Sequence, residues 1–124
     1  MPTPALWHEK AQLAGQAARQ SLDSDNLPAA ANRAYFSLHA FLTGRLLELG
    51  QQPPARYENW AHAQLGELTR THIRTPDRFA IRSLLQDLRQ MRVLADYDNH
   101  RRIPKDQLGD LLRSLDQVIG SRER

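Results

Sequence analysis

The sequence predicts an all-α fold, an up-and-down bundle of four long helices plus one short helix. Apolar residues recur at intervals of three and four, the spacing of one buried helix face. Proline and glycine separate these stretches, and no segment alternates apolar and polar residues for long enough to form a strand. The 124 residues, 40% of them hydrophobic, suit a single domain over residues 1–124 with an ordered core at about 5–120.

Two long helices account for the first fifty residues. The first follows two prolines, ends at the turn-forming residues 23–26, and has the predicted buried stripe Trp7, Ala11, Ala14, Ala18 and Leu22. The second is predicted from about Pro28 to Leu49, since proline favours a first helical position and Gly50 suits the residue just past the end. This should be the most buried helix. Its predicted apolar face is Ala31, Tyr35, Leu38, Leu42, Leu46 and Leu49, broadened by Ala34, Phe36 and Phe41.

Three further helices follow the proline pair at 53–54. A short one is predicted over about Tyr57–Arg70, with Trp60, Ala61, Leu65 and Leu68 facing inward. The fourth starts at Thr75-Pro76-Asp77, a hydroxyl cap followed by proline and an acid, and continues to about Asp98. Its buried positions are Ile81, Leu84, Leu88, Met91 and Ala95. The last helix begins near Pro104 and buries Leu108, Leu111, Leu112, Leu115 and Ile119.

Composition limits the classes of function. The chain has no cysteine, which excludes disulfides, thiolate metal sites and cysteine catalysis. The N-terminus lacks the charged start and apolar run of a signal peptide, and the longest apolar-rich stretch, 29–49, is interrupted by charged residues. We therefore expect a cytoplasmic protein. The net charge of +3 permits nucleic-acid binding without requiring it.

The densest polar cluster lies at the end of the fourth helix. Arg92, Asp96 and His100 are spaced by four and form one ridge if the helix continues through His100. An arginine beside a histidine is what metal-free RNA cleavage needs. The histidine can move protons at the 2′-hydroxyl or the leaving oxygen, while the arginine holds the phosphate as charge builds. The alternative interpretation is an ordinary ion pair between Arg92 and Asp96 and a solvated His100.

A second cluster lies on the central helix, where Tyr35 and His39 are i,i+4 neighbours beside the apolar face. They either line a pocket or are core residues with satisfied hydrogen bonds. His62, which follows Trp60 at the start of the short helix, is as consistent with a capping or packing role as with a site. No ligand spacing supports a metal site built from the histidines, so we predict no metal and no cofactor.

Together these clusters resemble the HEPN superfamily. The matching segments are Arg33-Ala34-Tyr35-Phe36 with His39, then Ala61-His62, then Arg92-x-x-Ala95-Asp96-Tyr97. The closest resemblance is to small stand-alone bacterial proteins with R-A-Y-Y/F and R-x-x-A-D-Y motifs. It covers about residues 5–120, nearly the whole chain.

The resemblance implies a helical bundle, a homodimer, and in many members a metal-independent endoribonuclease. Small members are often toxins paired with a minimal nucleotidyltransferase antitoxin. Nuclease members have four to six residues between the arginine and a histidine, whereas seven separate Arg92 from His100 here.

Two functional hypotheses result. In the first, Arg92 clamps the phosphate of single-stranded RNA, His100 is the general acid/base and Asp96 orients one of them. In the second, the Arg92-Asp96-Tyr97 face binds nucleotide, RNA or the antitoxin without catalysis. In both, Arg33, Tyr35, His39 and His62 are further candidate binding residues. A purely structural role for Arg92 and Asp96 at a dimer interface is the third interpretation.

Overall fold

The computed structural model describes residues 3–73, 78–97 and 103–121, apart from the Tyr97 side chain. Five α-helices occur within these ranges, and the described residues include no strand. The helices are α1 (Pro4–Asp23), α2 (Leu27–Glu48), α3 (His62–His72), α4 (Arg78–Tyr97) and α5 (Lys105–Ser121). The predicted all-α bundle of four long helices and one short helix is therefore confirmed.

The first two helices begin and end where local chemistry predicts. Thr3 Oγ1 caps α1 by accepting a hydrogen bond from the Leu6 amide at 3.2 Å. Asn26 Oδ1 caps α2 through the Ala29 amide at 3.4 Å. Gly50 follows α2 with a φ of +86°, a left-handed conformation that glycine adopts without strain. The predicted bounds of the second helix are confirmed to within one residue at each end.

The third helix starts later than predicted. It begins at His62, not near Tyr57, which is exposed in the preceding loop. The Trp60 carbonyl accepts a hydrogen bond from His39 Nε2 at 2.9 Å. In a helix that began at Tyr57, that carbonyl would instead accept from the backbone four residues later. A long-range bond to α2 thus replaces the first helical turn. The predicted Thr75-Pro76-Asp77 start of α4 lies outside the described residues.

The core surrounds α2, whose leucines at 38, 42 and 46 are fully buried. Trp7, Ala11 and Ala18 of α1 pack on one side, and the α4 residues Ile81, Leu84 and Leu88 pack on another. A smaller cluster joins α2 to α4 and α5 and comprises Ala30, Ala31, Met91, Ile103 and Leu108. The prediction that the second helix is the central one agrees with this packing.

Three residues predicted to face inward do not. Phe36 is 43% exposed and Leu49 is 42% exposed, while Ala61 is also exposed. Phe36 lies on an exposed side of α2 that it shares with Arg33, three residues earlier, and Leu49 stands beyond the last helical residue. Ala61 belongs to the extended segment before α3.

A buried polar contact at the α1–α2 interface was not predicted. His8 is 6% exposed, and its Nε2 lies 2.5 Å from Glu48 Oε1. The imidazole packs edge-on against Phe41 and lies so close to Gly44 that an added Cβ would be 2.9 Å from the ring. Glycine at this position therefore lets α1 approach α2 closely.

The short helix α3 is the least anchored of the five. Among the described helices, it contacts only α2 and α4. Its buried residues are Leu65 and Thr69. None of the described helices combines the length and apolar character needed to cross a membrane.

Candidate functional site

The candidate site is a cavity of about 310 Å³ between α2, α4 and the N-terminal end of α3. Its lining residues are Tyr35, His39, Ala61, His62, Arg89, Arg92, Val93 and Asp96. A larger cleft of about 740 Å³ lies between α2, α4 and α5. Its described lining contains neither histidine nor tyrosine, and its charged residues, Arg45 and Asp87, have opposite signs. The smaller cavity, which does contain histidine and tyrosine side chains, is therefore the better candidate for a functional site.

Arg92 lies at the surface of this cavity. Its side chain is 49% exposed, although Met91, the preceding residue, is buried in the core. The guanidinium carbon lies 5.2 Å from the centre of the Tyr35 ring, a cation–π contact, and Nε lies 3.5 Å from Asp96 Oδ2. Tyr35 and Asp96 thus fix the direction of the guanidinium while the group keeps its access to solvent.

A second arginine, Arg89, lines the same cavity and is also exposed. It precedes Arg92 by three residues, so the two side chains share one face of α4. Two guanidinium groups beside one cavity favour a ligand that carries a phosphate, because arginine donates paired hydrogen bonds to phosphate oxygens. Arg89 was not among the predicted site residues, although its spacing of three from Arg92 places it on the same helix face.

Tyr35 and His39 form the α2 wall of the cavity, and His62 contributes from α3. The Tyr35 hydroxyl lies 2.9 Å from His62 Nδ1, and His62 Nε2 lies 3.1 Å from Gln86 Oε1 on α4. His39 Nε2 donates to the Trp60 carbonyl. The sequence predicted these three residues as site candidates without indicating that Tyr35 and His62 are hydrogen-bonded.

Burial determines the protonation states of this wall. It lowers the pKa of His39, which Arg92 and, once protonated, His62 lower further, whereas the hydrogen bond to the Trp60 carbonyl raises it. Burial also lowers the pKa of His62, assisted by Arg89. The pKa of Tyr35 is raised by burial, although both arginines oppose this. Near neutral pH these shifts keep both imidazoles neutral and the phenol protonated.

Of the remaining predicted site residues, Arg33 has a described side chain. Arg33 does not line the cavity, because its guanidinium donates to Ser21 Oγ of α1 at 2.5 Å. Positions two apart on an α-helix differ by about 200° in direction, so Arg33 and Tyr35 face nearly opposite ways. His100 and the Tyr97 side chain lie outside the described residues, and their assignments stay predictions. Among the described residues, no three histidine, aspartate or glutamate side chains come together as a metal site.

The histidine environment predicts a pH dependence of stability. The unfolded chain protonates His39 and His62 near their ordinary pKa of 6.5, whereas the folded pKa values are lower. Between these values the unfolded state binds more protons, so the free energy of unfolding falls as pH decreases below about 6.5. Urea titrations at pH 8, 7, 6 and 5 measure this. His39→Gln should flatten the dependence, and an identical slope in the variant would contradict the assignment.

Comparisons with known proteins agree with the geometry of the bundle. The model of the HEPN domain family matches residues 5–123, nearly the full length of the chain. No curated protein and no solved structure gives a match. The matched residues include the whole cavity and, apart from Pro4 at the start of α1, every helix described above. The chain therefore belongs to the HEPN family.

Proposed function

We propose that the chain is a metal-independent endoribonuclease that acts on single-stranded RNA at the Arg92 cavity. The observation that supports this most directly is the position of Arg92, exposed at the cavity and oriented by Tyr35 and Asp96. Arg89 adds a second positive charge on the same helix face. Members of this family often act as ribonucleases in toxin systems, which is consistent with a phosphate-binding arginine here.

The proposed chemistry uses the RNA 2′-hydroxyl as the nucleophile. Its oxygen attacks the adjacent phosphorus, the bond to the 5′-oxygen breaks, and the products are a 2′,3′-cyclic phosphate and a 5′-hydroxyl. Negative charge accumulates on the phosphate oxygens in the transition state, where the Arg92 guanidinium stabilises it. A histidine then supplies or removes a proton. His100 stays the residue predicted for this role, with Asp96 as an orienting group.

The size of the cavity favours a flexible strand. At about 310 Å³ it lies at the lower end of the range for ligand pockets, enough for roughly one nucleotide. A base-paired helix holds its phosphates on a stiff backbone, whereas a single strand can turn one nucleotide into such a cavity. We therefore expect single-stranded RNA to be the preferred substrate.

The decisive experiment is a cleavage assay in EDTA. The purified chain should cut an end-labelled single-stranded RNA and leave a 2′,3′-cyclic phosphate. The same sequence as DNA, or with 2′-O-methyl groups, should stay intact because it has no free 2′-hydroxyl. Cleavage of the DNA, or no cleavage of any RNA, would end the proposal. A His100→Ala variant, with His72→Ala as its control, tests the predicted histidine.

A second candidate function is binding without cleavage. It is favoured by the hydrogen bonds that already engage His39 Nε2 and both ring nitrogens of His62. In this case the Arg92-Asp96-Tyr97 face binds nucleotide, RNA or a minimal nucleotidyltransferase antitoxin. The 2′-O-methyl RNA then serves as the ligand in a titration. Affinity that falls in Arg92→Ala, together with an absence of cutting, would favour binding.

Two partners implied by the family resemblance also belong to the proposal. A homodimer would place two Arg92 cavities in one particle. Light scattering on the purified chain distinguishes a monomer from a dimer. Co-expression with a neighbouring minimal nucleotidyltransferase, followed by co-purification and a growth assay, tests the toxin–antitoxin pairing.

A further inference from the structure

Three side chains from three helices form a hydrogen-bonded chain along the wall of the cavity. Tyr35 on α2 contacts His62 on α3, and His62 contacts Gln86 on α4. The first contact measures 2.9 Å and the second 3.1 Å. Local sequence patterns do not reveal these two contacts, because they join residues separated by 27 and 24 positions.

The hydrogen bonds that link Tyr35, His62 and Gln86 have a defined direction of proton donation. An amide oxygen can only accept, so Gln86 Oε1 requires the hydrogen of His62 on Nε2. Nδ1 of the neutral ring is then the acceptor, and the Tyr35 hydroxyl donates to it. The hydroxyl proton thus already points toward a basic nitrogen, and the lone pairs of the phenol oxygen remain available for a second partner.

The protonation states agree with this direction. Burial and Arg89 lower the pKa of His62, so its ring is neutral near pH 7 and can accept a proton. Burial raises the pKa of Tyr35, so the phenol keeps its hydrogen. A neutral base next to a neutral hydroxyl is the arrangement in which a proton can pass through the hydroxyl to the base.

The Tyr35 end of this series of hydrogen bonds lies beside the proposed phosphate site. Tyr35 lines the cavity although it is only 5% exposed, and its ring lies 5.2 Å from the Arg92 guanidinium carbon. A phosphate held by Arg92 therefore lies next to the Tyr35 side chain. The ribose attached to that phosphate carries the 2′-hydroxyl that must lose its proton.

We propose that Tyr35 and His62 remove the proton of the RNA 2′-hydroxyl, a step that rests on the ribonuclease function proposed above. The 2′-hydroxyl proton moves to the phenol oxygen of Tyr35 as the phenol proton moves to His62 Nδ1. The freed electron pair on the 2′-oxygen forms the bond to phosphorus, and the phosphorus–5′-oxygen bond breaks. The leaving 5′-oxygen takes a proton from water, and the His62 imidazolium returns its proton to water.

In this scheme Tyr35 is a catalytic residue, because it touches the substrate, whereas His62 and Gln86 are positioning residues that act through it. The same scheme explains how a histidine with both nitrogens engaged can still take part in cleavage. The hydrogen bond from Tyr35 is the path of the proton, so it does not block the base.

The test is the cleavage rate of Tyr35→Phe as a function of pH, with Tyr57→Phe as the matched control. Tyr57 is a loop residue with 64% exposure that does not line the cavity. Removing the Tyr35 hydroxyl should reduce kcat about a hundredfold with little change in KM, within the range for a lost acid–base group. Wild type should lose activity at acid pH as His62 becomes protonated, and this acid limb should disappear in Tyr35→Phe. Tyr57→Phe should match wild type throughout.

The outcomes separate this proposal from the function on which it rests. If wild type cleaves RNA and Tyr35→Phe cleaves it at the same rate with the same pH profile, the proton path is wrong and the ribonuclease function stands. If wild type does not cleave, both are wrong. Gln86→Leu, an exposed change on α4, gives a second variant in case Tyr35→Phe does not fold. It should lower kcat about tenfold and shift the acid limb, because His62 loses the acceptor that fixes its tautomer. An unchanged profile in Gln86→Leu would also overturn the proposal.

Discussion

Arg92→Ala is expected to reduce the rate of metal-free RNA cleavage by a factor of about a hundred to a thousand, the range for loss of one preorganised transition-state donor. The effect should fall on kcat at least as strongly as on KM, because the guanidinium meets the greatest negative charge in the transition state. Single-turnover cleavage in EDTA is the measurement. Stability should change by less than about 1 kcal/mol, because the ion pair with Asp96 is solvent-exposed.

Arg113→Ala is the matched control for this prediction. Arg113 is also an exposed helical arginine that pairs with an aspartate on its own helix, Asp110. It lies on α5 and does not line the cavity. A loss of activity in both variants would indicate a general effect of positive charge on RNA binding. Equal activity of Arg92→Ala and wild type would remove Arg92 from the mechanism.

Leu42→Ala is expected to lower the free energy of unfolding by about 2–5 kcal/mol, the range for a fully buried leucine. Leu42 is completely inaccessible on α2, the helix on which α1 and α4 pack. Truncation leaves a cavity in the core that the surrounding side chains cannot fill without moving the helices that carry them. Urea denaturation monitored by circular dichroism measures the loss.

The control for Leu42 is Leu13→Ala on α1, where the leucine is 58% exposed. The change should be within about 0.5 kcal/mol, as for most surface substitutions. A loss below about 1 kcal/mol for Leu42→Ala would mean that α2 is not the structural centre of the bundle. A large loss for Leu13→Ala would instead reveal an interface that covers this side of α1.

The helices could be predicted from sequence wherever their ends depend on local chemistry. Asn26, Pro28 and Gly50 act within a few residues of themselves, and the predicted bounds of α2 are accurate. The start of α3 was predicted wrongly because the hydrogen bond between His39 and the Trp60 carbonyl joins distant segments. Periodicity identifies an apolar face without showing which part of it a neighbouring helix covers, and Phe36 is exposed for that reason.

In the candidate site, too, contacts within one helix could be predicted from the sequence, whereas contacts between helices could not. Arg92 and Asp96 could be paired from their spacing on one helix, and their contact occurs at 3.5 Å. Arg89 follows from the same spacing rule and was overlooked. The contacts of His62 with Tyr35 and Gln86 depend on how α3 docks against two other helices, which no local pattern encodes. Arg33 was included through its place in a motif, although helix geometry alone directs it toward α1.

The weak anchoring of α3 has a consequence for ligand recognition. Because α3 packs only on α2 and α4 within the described bundle, it can detach in a local fluctuation that leaves the rest of the fold intact and removes His62 from the cavity. A nucleotide that touches His62 and Arg92 together would oppose such openings. Amide hydrogens of α3 should then exchange more slowly with deuterium when RNA is bound.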